Sequence, residues 1–293
     1  MIATTGFFDG VHLGHRLVIE RLVSLARERG DESLVVTFWP HPRAVLQDGA
    51  RELRLLNSLE EKKGLLRNLG VDRVEVLDFT RSFAALTAEQ YLRDILRDRF
   101  GVTTLLMGYD NRLGSDRLTA ASLKPIASSI GIELVELEPF GMGEHPQTVA
   151  ATVIRKSLEE GKVETASEML GYGYALKGVV VAGNRLGRTI GFPTANMKLY
   201  EPLKLVPGRG VYVVEAEVLG KKYRGMTNIG LRPTVGGSFT TIETHILDFD
   251  EDIYGLPLRI TFLRRLRDEV HFPSLEALKD QLEKDRECCR EQK

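Results

Sequence analysis

Cysteine is nearly missing from this chain. Its 293 residues contain two, Cys288 and Cys289, side by side near the C-terminus. Neighbouring thiols can build neither a disulfide framework nor a four-ligand metal site, and their scarcity fits a reducing cytosol. No apolar run approaches the roughly 18 residues of a membrane-spanning helix, and no basic-then-apolar leader precedes Gly6. An excess of one charge is also lacking. Lys and Arg total 40 against 41 Asp and Glu, a formal net charge of −1, so there is no global electrostatic case for nucleic acid or a membrane surface. Internal repeats and low-complexity tracts are absent. What remains is an ordinary soluble composition, 43% hydrophobic and 28% charged, in a chain long enough for two domains. The expectation is a cytoplasmic protein, a monomer or weak homo-oligomer, whose partners are small molecules.

The most informative stretch is Gly6-Phe7-Phe8-Asp9-Gly10-Val11-His12-Leu13-Gly14-His15. Ile2–Thr5 before it reads as a strand. Leu17, Val18, Leu22, Leu25 and Ala26 after it recur at helical spacing, and Gly30 closes the run. The stretch is therefore a strand-to-helix turn. The helix directs unpaired N–H groups and a partial positive charge out of that turn, which suits an anion. His12 and His15 are three apart and share a helical face. Two imidazoles at a helix N-terminus form an H-x-G-H layout that could hold ATP phosphates through a charged transition state. Two exposed histidines at an ordinary helix start are the plain alternative.

Further on, Ser33–Phe38 is a β-branched run that reads as a buried strand. In Trp39-Pro40-His41-Pro42-Arg43 the prolines end that strand and stiffen the loop at its carboxyl end, where open α/β sheets bind ligands. Ser58 and Glu61 form a capping box opening a helix to Gly70, and Thr87 and Gln90 form another opening a helix that Gly101 ends. Arg73–Phe79, Thr103–Met107 and Ile132–Leu137 read as strands. Strands alternating with helices predict a doubly wound, mainly parallel sheet. Residues 108–117 are either a ligand loop or a polar turn. Arg155 is either a phosphate partner or a solvated helix arginine.

The pattern then changes. Val163–Gly171 is a short amphipathic helix linking the halves. Ala175–Val181, Val211–Val218, Tyr223–Asn228, Thr241–Phe249 and Leu258–Leu263 are strand-like, and Leu219-Gly220-Lys221-Lys222 reads as a hairpin turn. Short strands without helices between them suggest an antiparallel barrel. A final helix runs from the N-cap Ser274 to about Glu287, with Leu275, Leu278 and Leu282 as its apolar stripe. Within the barrel half, Gly183–Asn196 is glycine-rich and basic, which suggests phosphate. It is not a Walker A loop: the glycine spacing is one short, Arg188 replaces the lysine, and no βαβ unit surrounds it. By local physics alone a glycine-rich hairpin loop is the simpler reading.

Gly6–His15 resembles the nucleotidyltransferase superfamily that includes cytidylyltransferases, phosphopantetheine adenylyltransferase and the FAD synthetases. Thr37–Pro42 (TFWPHP) is similar to the FAD synthetase loop bordering the flavin and ATP pockets, which implies flavin contacts at Phe38, Pro40 and Pro42. Of the family's G-Y-D-F-R-F-G, Gly108, Tyr109, Asp110, Arg112 and Gly114 match, while Asn111 and Leu113 depart. Of its S-S-T-x-I-R, Thr152, Ile154 and Arg155 match, while Ala150 and Ala151 replace two hydroxyls. The resemblance implies an ATP site of Gly6, Phe7, Asp9, Gly10, Gly14, Asp110, Thr152 and Arg155, with His12 and His15 catalytic. It also leads us to expect a short leading segment, found in relatives, to be missing here.

Arg188–Asn196 (RTIGFPTAN), with Gly187 before it, resembles the riboflavin kinase signature. That implies Thr194 and Asn196 on Mg²⁺ and the ATP phosphates, with Gly183, Gly187, Arg188 and Gly191 in the phosphate loop. Asn228–Thr234 resembles N-I-G-x-R-P-T, implying Arg232 and Pro233 at the flavin. Thr241–Phe249 resembles the E-x-H-L-L-D-F strand, and Phe262–Phe272 also matches. Phosphoryl transfer to an alcohol needs a base worth about 10²–10⁴-fold, and Glu243 is the one the family implies. His245, two residues on, is assigned a structural part.

Together these motifs resemble the bifunctional riboflavin kinase/FAD synthetase family over essentially the whole chain. The fold expected is a doubly wound, Rossmann-like α/β adenylyltransferase domain over 1–160, then a mainly β kinase domain over 161–293, an antiparallel six-stranded-type barrel with a C-terminal helix. The activity expected is riboflavin to FMN, then FMN to FAD, with ATP and Mg²⁺. Two alternatives stay open: a kinase with a catalytically weak N-terminal module, and a pure flavin-binding protein. An aminoacyl-tRNA synthetase would need a K-M-S-K-S loop, which this chain lacks.

Overall fold

The first strand, β1 (Ile2–Thr5), is buried at all four positions, as a strand must be at the centre of a parallel sheet covered on both faces. A computed structural model describes residues 1–46, 53–108, 111–137, 149–183, 186–234 and 237–290. The chain divides into two units, Met1–Ala150 and Ala151–Lys293.

In the first unit, β1 is followed by α1 (Leu13–Arg29), β2 (Ser33–Trp39), α2 (Pro42–Leu46), α3 (Leu59–Asn68), β3 (Arg73–Asp78), α4 (Arg81–Ala84), α5 (Ala88–Gln90), β4 (Thr104–Gly108), α6 (Ala120–Ser129) and β5 (Glu133–Leu137). The strands lie in the order β3-β2-β1-β4-β5, and every pair is parallel. The order reverses at β1, and the crevice at such a reversal is where doubly wound sheets bind ligands. Side chains alternate across the sheet. Ile2, Val35 and Leu106 face a layer with Ile19, Leu22 and Leu66, whereas Ala3, Leu34 and Leu105 face Leu92, Leu96 and Leu123.

Both expected capping boxes form, and Gly30 ends α1 in a left-handed conformation. Two local differences appear. After α5 the expected α-helix widens into a π-helical segment, Tyr91–Arg97. The sequence reading assigns no element to 120–129, where α6 forms with Pro125 inside it; its buried Ala120, Leu123 and Ala127 supply the apolar face.

The second unit holds α7 (Ala151–Glu159), α8 (Val163–Leu170), β6 (Ala175–Val181), α9 (Leu186–Thr189), β7 (Ala195–Leu199), β8 (Gly210–Val218), β9 (Lys221–Thr234), β10 (Gly237–Ile246), β11 (Pro257–Arg267) and α10 (Leu275–Arg290). Its strands close into an antiparallel barrel, β10-β7-β6-β11-β8-β9. The pattern reading finds five of the six; β7 is hidden because its first residues belong to the glycine-rich stretch. Leu219 and Gly220 turn the β8–β9 hairpin with φ of 52° and 73°, the double positive φ of a type I′ turn. Phe192, Val211, Val213, Met226, Leu247 and Cys289 build a core cluster.

The stripe expected on α10 is only partly inward. Leu282 packs on the core, but Leu275 is 50% exposed and the deepest positions are Asp285 and Cys289. A carboxylate can be buried there because Arg267 donates to Asp285 from Nε at 3.0 Å and Nη2 at 2.7 Å, and Gln281 donates at 2.9 Å.

Two candidate active sites

The first site grows from the end of β1. The turn after it runs through positive φ at Phe8, Gly10 and Val11, at 51°, 85° and 37°. A buried β-branched residue at such an angle is strained, and strain of this kind collects at functional turns. The turn delivers His12 to the N-cap of α1, where its Nδ1 accepts from the His15 backbone N–H at 3.4 Å. Gly14 lies against the His12 ring; a Cβ there would sit 3.4 Å from it. The His12 and His15 rings stack with centroids 3.6 Å apart. Burial first, then the charges of His12 and Lys62, hold His15 well below the usual imidazole pKa. Among the described residues its buried Nδ1 has no hydrogen-bond partner, a costly state that a hydrogen-bonding ligand would relieve.

Several expected residues serve the scaffold of this turn. Asp9 is 6% exposed, and its carboxylate accepts from the backbone N–H groups of Leu56 and Asn57 at 3.0 and 3.2 Å. A Cβ on Gly6 would come within 3.1 Å of the Phe8 ring. Phe7 is held between the His41 ring, 4.0 Å away, and the Lys62 ammonium, 4.2 Å away. Phe38 joins an aromatic cluster with Phe79, Phe83 and Tyr91. Pro40 is exposed, and Pro42 opens α2. Asp110 and Tyr109 lie outside the described residues. Just beyond them, Gly114 allows a close approach: a Cβ there would fall 2.2 Å from the Ala88 nitrogen. Thr152 and Arg155 stand on α7, in the second unit, Thr152 exposed and Arg155 half-buried.

Sequence reasoning passed over Lys62. The available signal was a lysine four residues before the buried Leu66, on the inward stripe of α3.

The second site is set by barrel register. Glu243 on β10 lies directly opposite Asn196 on β7 and Asn228 on β9, so the three are cross-strand neighbours. Thr194 Oγ1 donates to Glu243 Oε2 at 3.4 Å, and Arg232 Nη2 reaches Glu243 Oε1 at 3.4 Å. Pro233 continues β9 opposite Ser238. His245 Nδ1 lies 2.8 Å from the Pro193 carbonyl. A carbonyl can only accept, so the ring donates and holds the residue before Thr194. Burial lowers the His245 pKa, consistent with a neutral ring. Gly183 leaves room for the Asn196 side chain, since a Cβ there would lie 2.2 Å from Asn196 Nδ2 and push that amide from its place. At Gly187 a Cβ would lie 2.2 Å from the Phe192 carbonyl oxygen. Gly191 follows with φ 84°.

Two cavities flank this cluster. The larger, about 560 Å³, includes Phe192, Thr194, Asn228, Glu243, His245 and Phe272 in its walls. The smaller, about 330 Å³, includes Arg188, Pro193, Thr194 and Asp250. Thr194 lines both. The side-chain oxygens of Thr194 and Asn196 are hard, neutral donors of the kind that fit Mg²⁺ with waters and phosphates as its other ligands.

A doubly wound sheet with a histidine turn at a helix N-terminus, followed by a barrel in which one threonine lines two cavities beside a carboxylate, is an arrangement suited to a nucleotidyltransferase joined to a kinase. Residues 1–151 match the FAD synthetase family and residues 170–293 the riboflavin kinase family. The bifunctional riboflavin kinase/FMN adenylyltransferase of Bacillus subtilis is 35% identical over 291 residues, spanning 98% of this chain and 90% of that protein. That of Escherichia coli K12 is 37% identical over 292 residues, spanning 99% and 92%. A crystal structure described as a macrolide-efflux protein from Streptococcus pneumoniae superposes with a TM-score of 0.90 at 33% identity, covering 100% of this chain and 94% of that one. Among the described residues of the present chain, no helix is long and apolar enough to cross a membrane. The chain belongs to the bifunctional riboflavin kinase/FMN adenylyltransferase family, which makes FMN from riboflavin and FAD from FMN.

Proposed function

We propose that the second unit phosphorylates riboflavin and the first adenylylates the product. In the barrel, the riboflavin ring system occupies the larger cavity and ATP the smaller. Glu243 takes the proton of the 5′-hydroxyl as its oxygen attacks the γ-phosphorus, and ADP leaves. Thr194 and Asn196 hold the metal–nucleotide, with Gly183, Gly187, Arg188 and Gly191 shaping the loop around its phosphates. Mg²⁺ bound there would neutralise phosphate charge. Arg232 and Pro233 border the flavin. The observation that carries this reading is Thr194, which lines both cavities with its hydroxyl 3.4 Å from Glu243.

In the first unit, an FMN phosphate oxygen attacks the α-phosphorus of ATP and pyrophosphate leaves, without a covalent enzyme intermediate. His12, His15 and the N-terminus of α1 supply positioning and charge stabilisation. By the motifs they match, Gly6, Phe7, Asp9, Gly10, Gly14, Asp110, Thr152 and Arg155 are assigned to ATP binding, and Phe38, Pro40 and Pro42 to the flavin. The setting is the cytoplasm, as a monomer or weak homo-oligomer, with no nucleic acid or membrane partner. Chromatography of products from riboflavin and excess Mg-ATP tests the whole scheme: FMN should appear first and FAD after it, and excess EDTA should stop both. Full activity in EDTA, or no FMN, would refute it. A second reading, a kinase with a weakened adenylyltransferase, is favoured by Ala150 and Ala151 and predicts FMN alone.

A further inference from the structure

The first unit buries a lysine that the reaction scheme does not use. Lys62, on α3, is 2% exposed. Its ammonium donates to the Phe7 carbonyl at 3.0 Å, the Thr37 hydroxyl at 2.9 Å and the Phe38 carbonyl at 3.4 Å. All three acceptors lie at or just beyond the carboxyl ends of β1 and β2. Thr37 in turn donates to the Phe7 carbonyl at 3.2 Å. Lysine is almost never fully buried, because an ammonium withdrawn from water is costly even when hydrogen-bonded. A leucine or methionine would fill a purely structural position more cheaply.

The placement gives the charge a use. Carbonyl oxygens at the carboxyl ends of parallel strands present partial negative charge to the ligand crevice, which opposes a triphosphate. Lys62 occupies two of them and adds a positive charge beneath the histidine turn. It also ties that turn to the loop after β2: the Phe7 ring lies between the Lys62 ammonium and the His41 ring. Asp9, on the turn, fastens the chain leading into α3. The turn, the loop and α3 are thus held as one piece.

We propose that Lys62 is a positioning residue of FMN adenylylation, whose charged ammonium holds the Gly6–His15 turn and the loop after β2 in the geometry that receives the ATP phosphates. This rests on the reading of His12 and His15 as the ATP site. The charged and titratable groups that act on or feel Lys62 are Asp9 from the turn and His15 from α1, with His41 in contact with the Phe7 ring. Burial brings the Lys62 pKa down to about 8, with Asp9 partly opposing. The ammonium therefore loses its proton at the alkaline edge of the working range.

The test is FAD formation from FMN and Mg-ATP by the full chain, with riboflavin phosphorylation by the same preparation as internal control. Lys62→Met should lower FAD formation roughly 30- to 300-fold, chiefly in kcat, the size expected when a reacting geometry is loosened. Lys62→Gln, which keeps a donor but no charge, should not restore it. FMN formation should stay within about twofold of the parent. In the unaltered protein, log kcat/KM for ATP should fall with unit slope above about pH 8, and Lys62→Gln should lack that limb. A parental rate in either variant overturns the proposal. So does a parental profile flat to about pH 10, a measurement that needs no variant to fold. His15→Asn, assayed alongside, separates the two readings. Full FAD formation in His15→Asn refutes the site, whereas its loss beside a fully active Lys62→Met refutes only the part assigned to Lys62.

Discussion

Thr194 and Glu243 meet where β7 begins beside β10, Oγ1 to Oε2 at 3.4 Å, although they lie 49 positions apart in the chain. The contact places a hydroxyl that borders both cavities against the carboxylate that borders the larger one. Glu243→Gln preserves the shape and removes the base. Riboflavin phosphorylation should fall about 10²–10⁴-fold, while conversion of supplied FMN to FAD continues at the parental rate. Chromatography of both reactions checks this; near-parental FMN formation would remove Glu243 from the base role.

The second unit should work alone, and its starting point should matter. A fragment from Ala151 keeps α7, whose Leu158 carbonyl accepts from Gly208 N–H at 2.8 Å and whose Ile154 and Leu158 are fully buried. A fragment from Val163 loses both side chains, a cost of about 3–6 kcal/mol at roughly 1.5–3 kcal/mol each. Both should phosphorylate riboflavin at low temperature, with the shorter melting well below the longer in calorimetry. Equal melting temperatures would contradict the account of α7.

Each unit holds a histidine whose pKa is lowered by withdrawal from water, His15 well below the ordinary value and His245 in the same direction. The unfolded chain then takes up protons below about pH 6.5 that the folded chain refuses. Stability is therefore intact above that pH and declines as pH falls through it, by at most about 1.4 kcal/mol per pH unit for each histidine. Thermal unfolding between pH 7.5 and pH 5.5 should show the decline. His15→Gln should flatten it for the first unit only.

Ala150 and Ala151 stand where relatives are expected to carry hydroxyls, and Ala150 immediately precedes α7. A hydrogen bond to a charged group is worth about 1.5–3 kcal/mol, so losing one slows a reaction roughly ten- to a hundredfold. Ala150→Ser/Ala151→Ser should raise FAD formation from FMN. Serine before the first helical residue should also add about 0.5–2 kcal/mol to α7 as an N-cap, visible as a higher melting temperature. If the parent already makes FAD as fast as FMN and the serines change neither rate, these alanines do not limit the reaction.

Much of this architecture is local and therefore legible in sequence order. The turn before α1, both capping boxes, the parallel alternation of the first half and the Leu219–Gly220 hairpin all follow from hydrogen bonds and periodicities spanning a few residues. The histidine pair and the Thr194, Asn196 and Glu243 set were also named from the sequence, through motifs of fixed spacing. What only the tertiary structure decided concerns partners distant in the chain. β7 became visible only when Asn196 found Glu243 in register. The breadth of the Tyr91–Arg97 helix and the burial of Asp285 on α10 depend on what packs against them. That the Asp9 carboxylate accepts from Leu56 and Asn57, 47 and 48 residues further on, is likewise a product of the fold. Lys62 looked like one more helix lysine until α3 lay across the ends of β1 and β2. Periodicity records which face of an element turns inward, but not which carbonyl or carboxylate waits there, because that proximity is created by the fold.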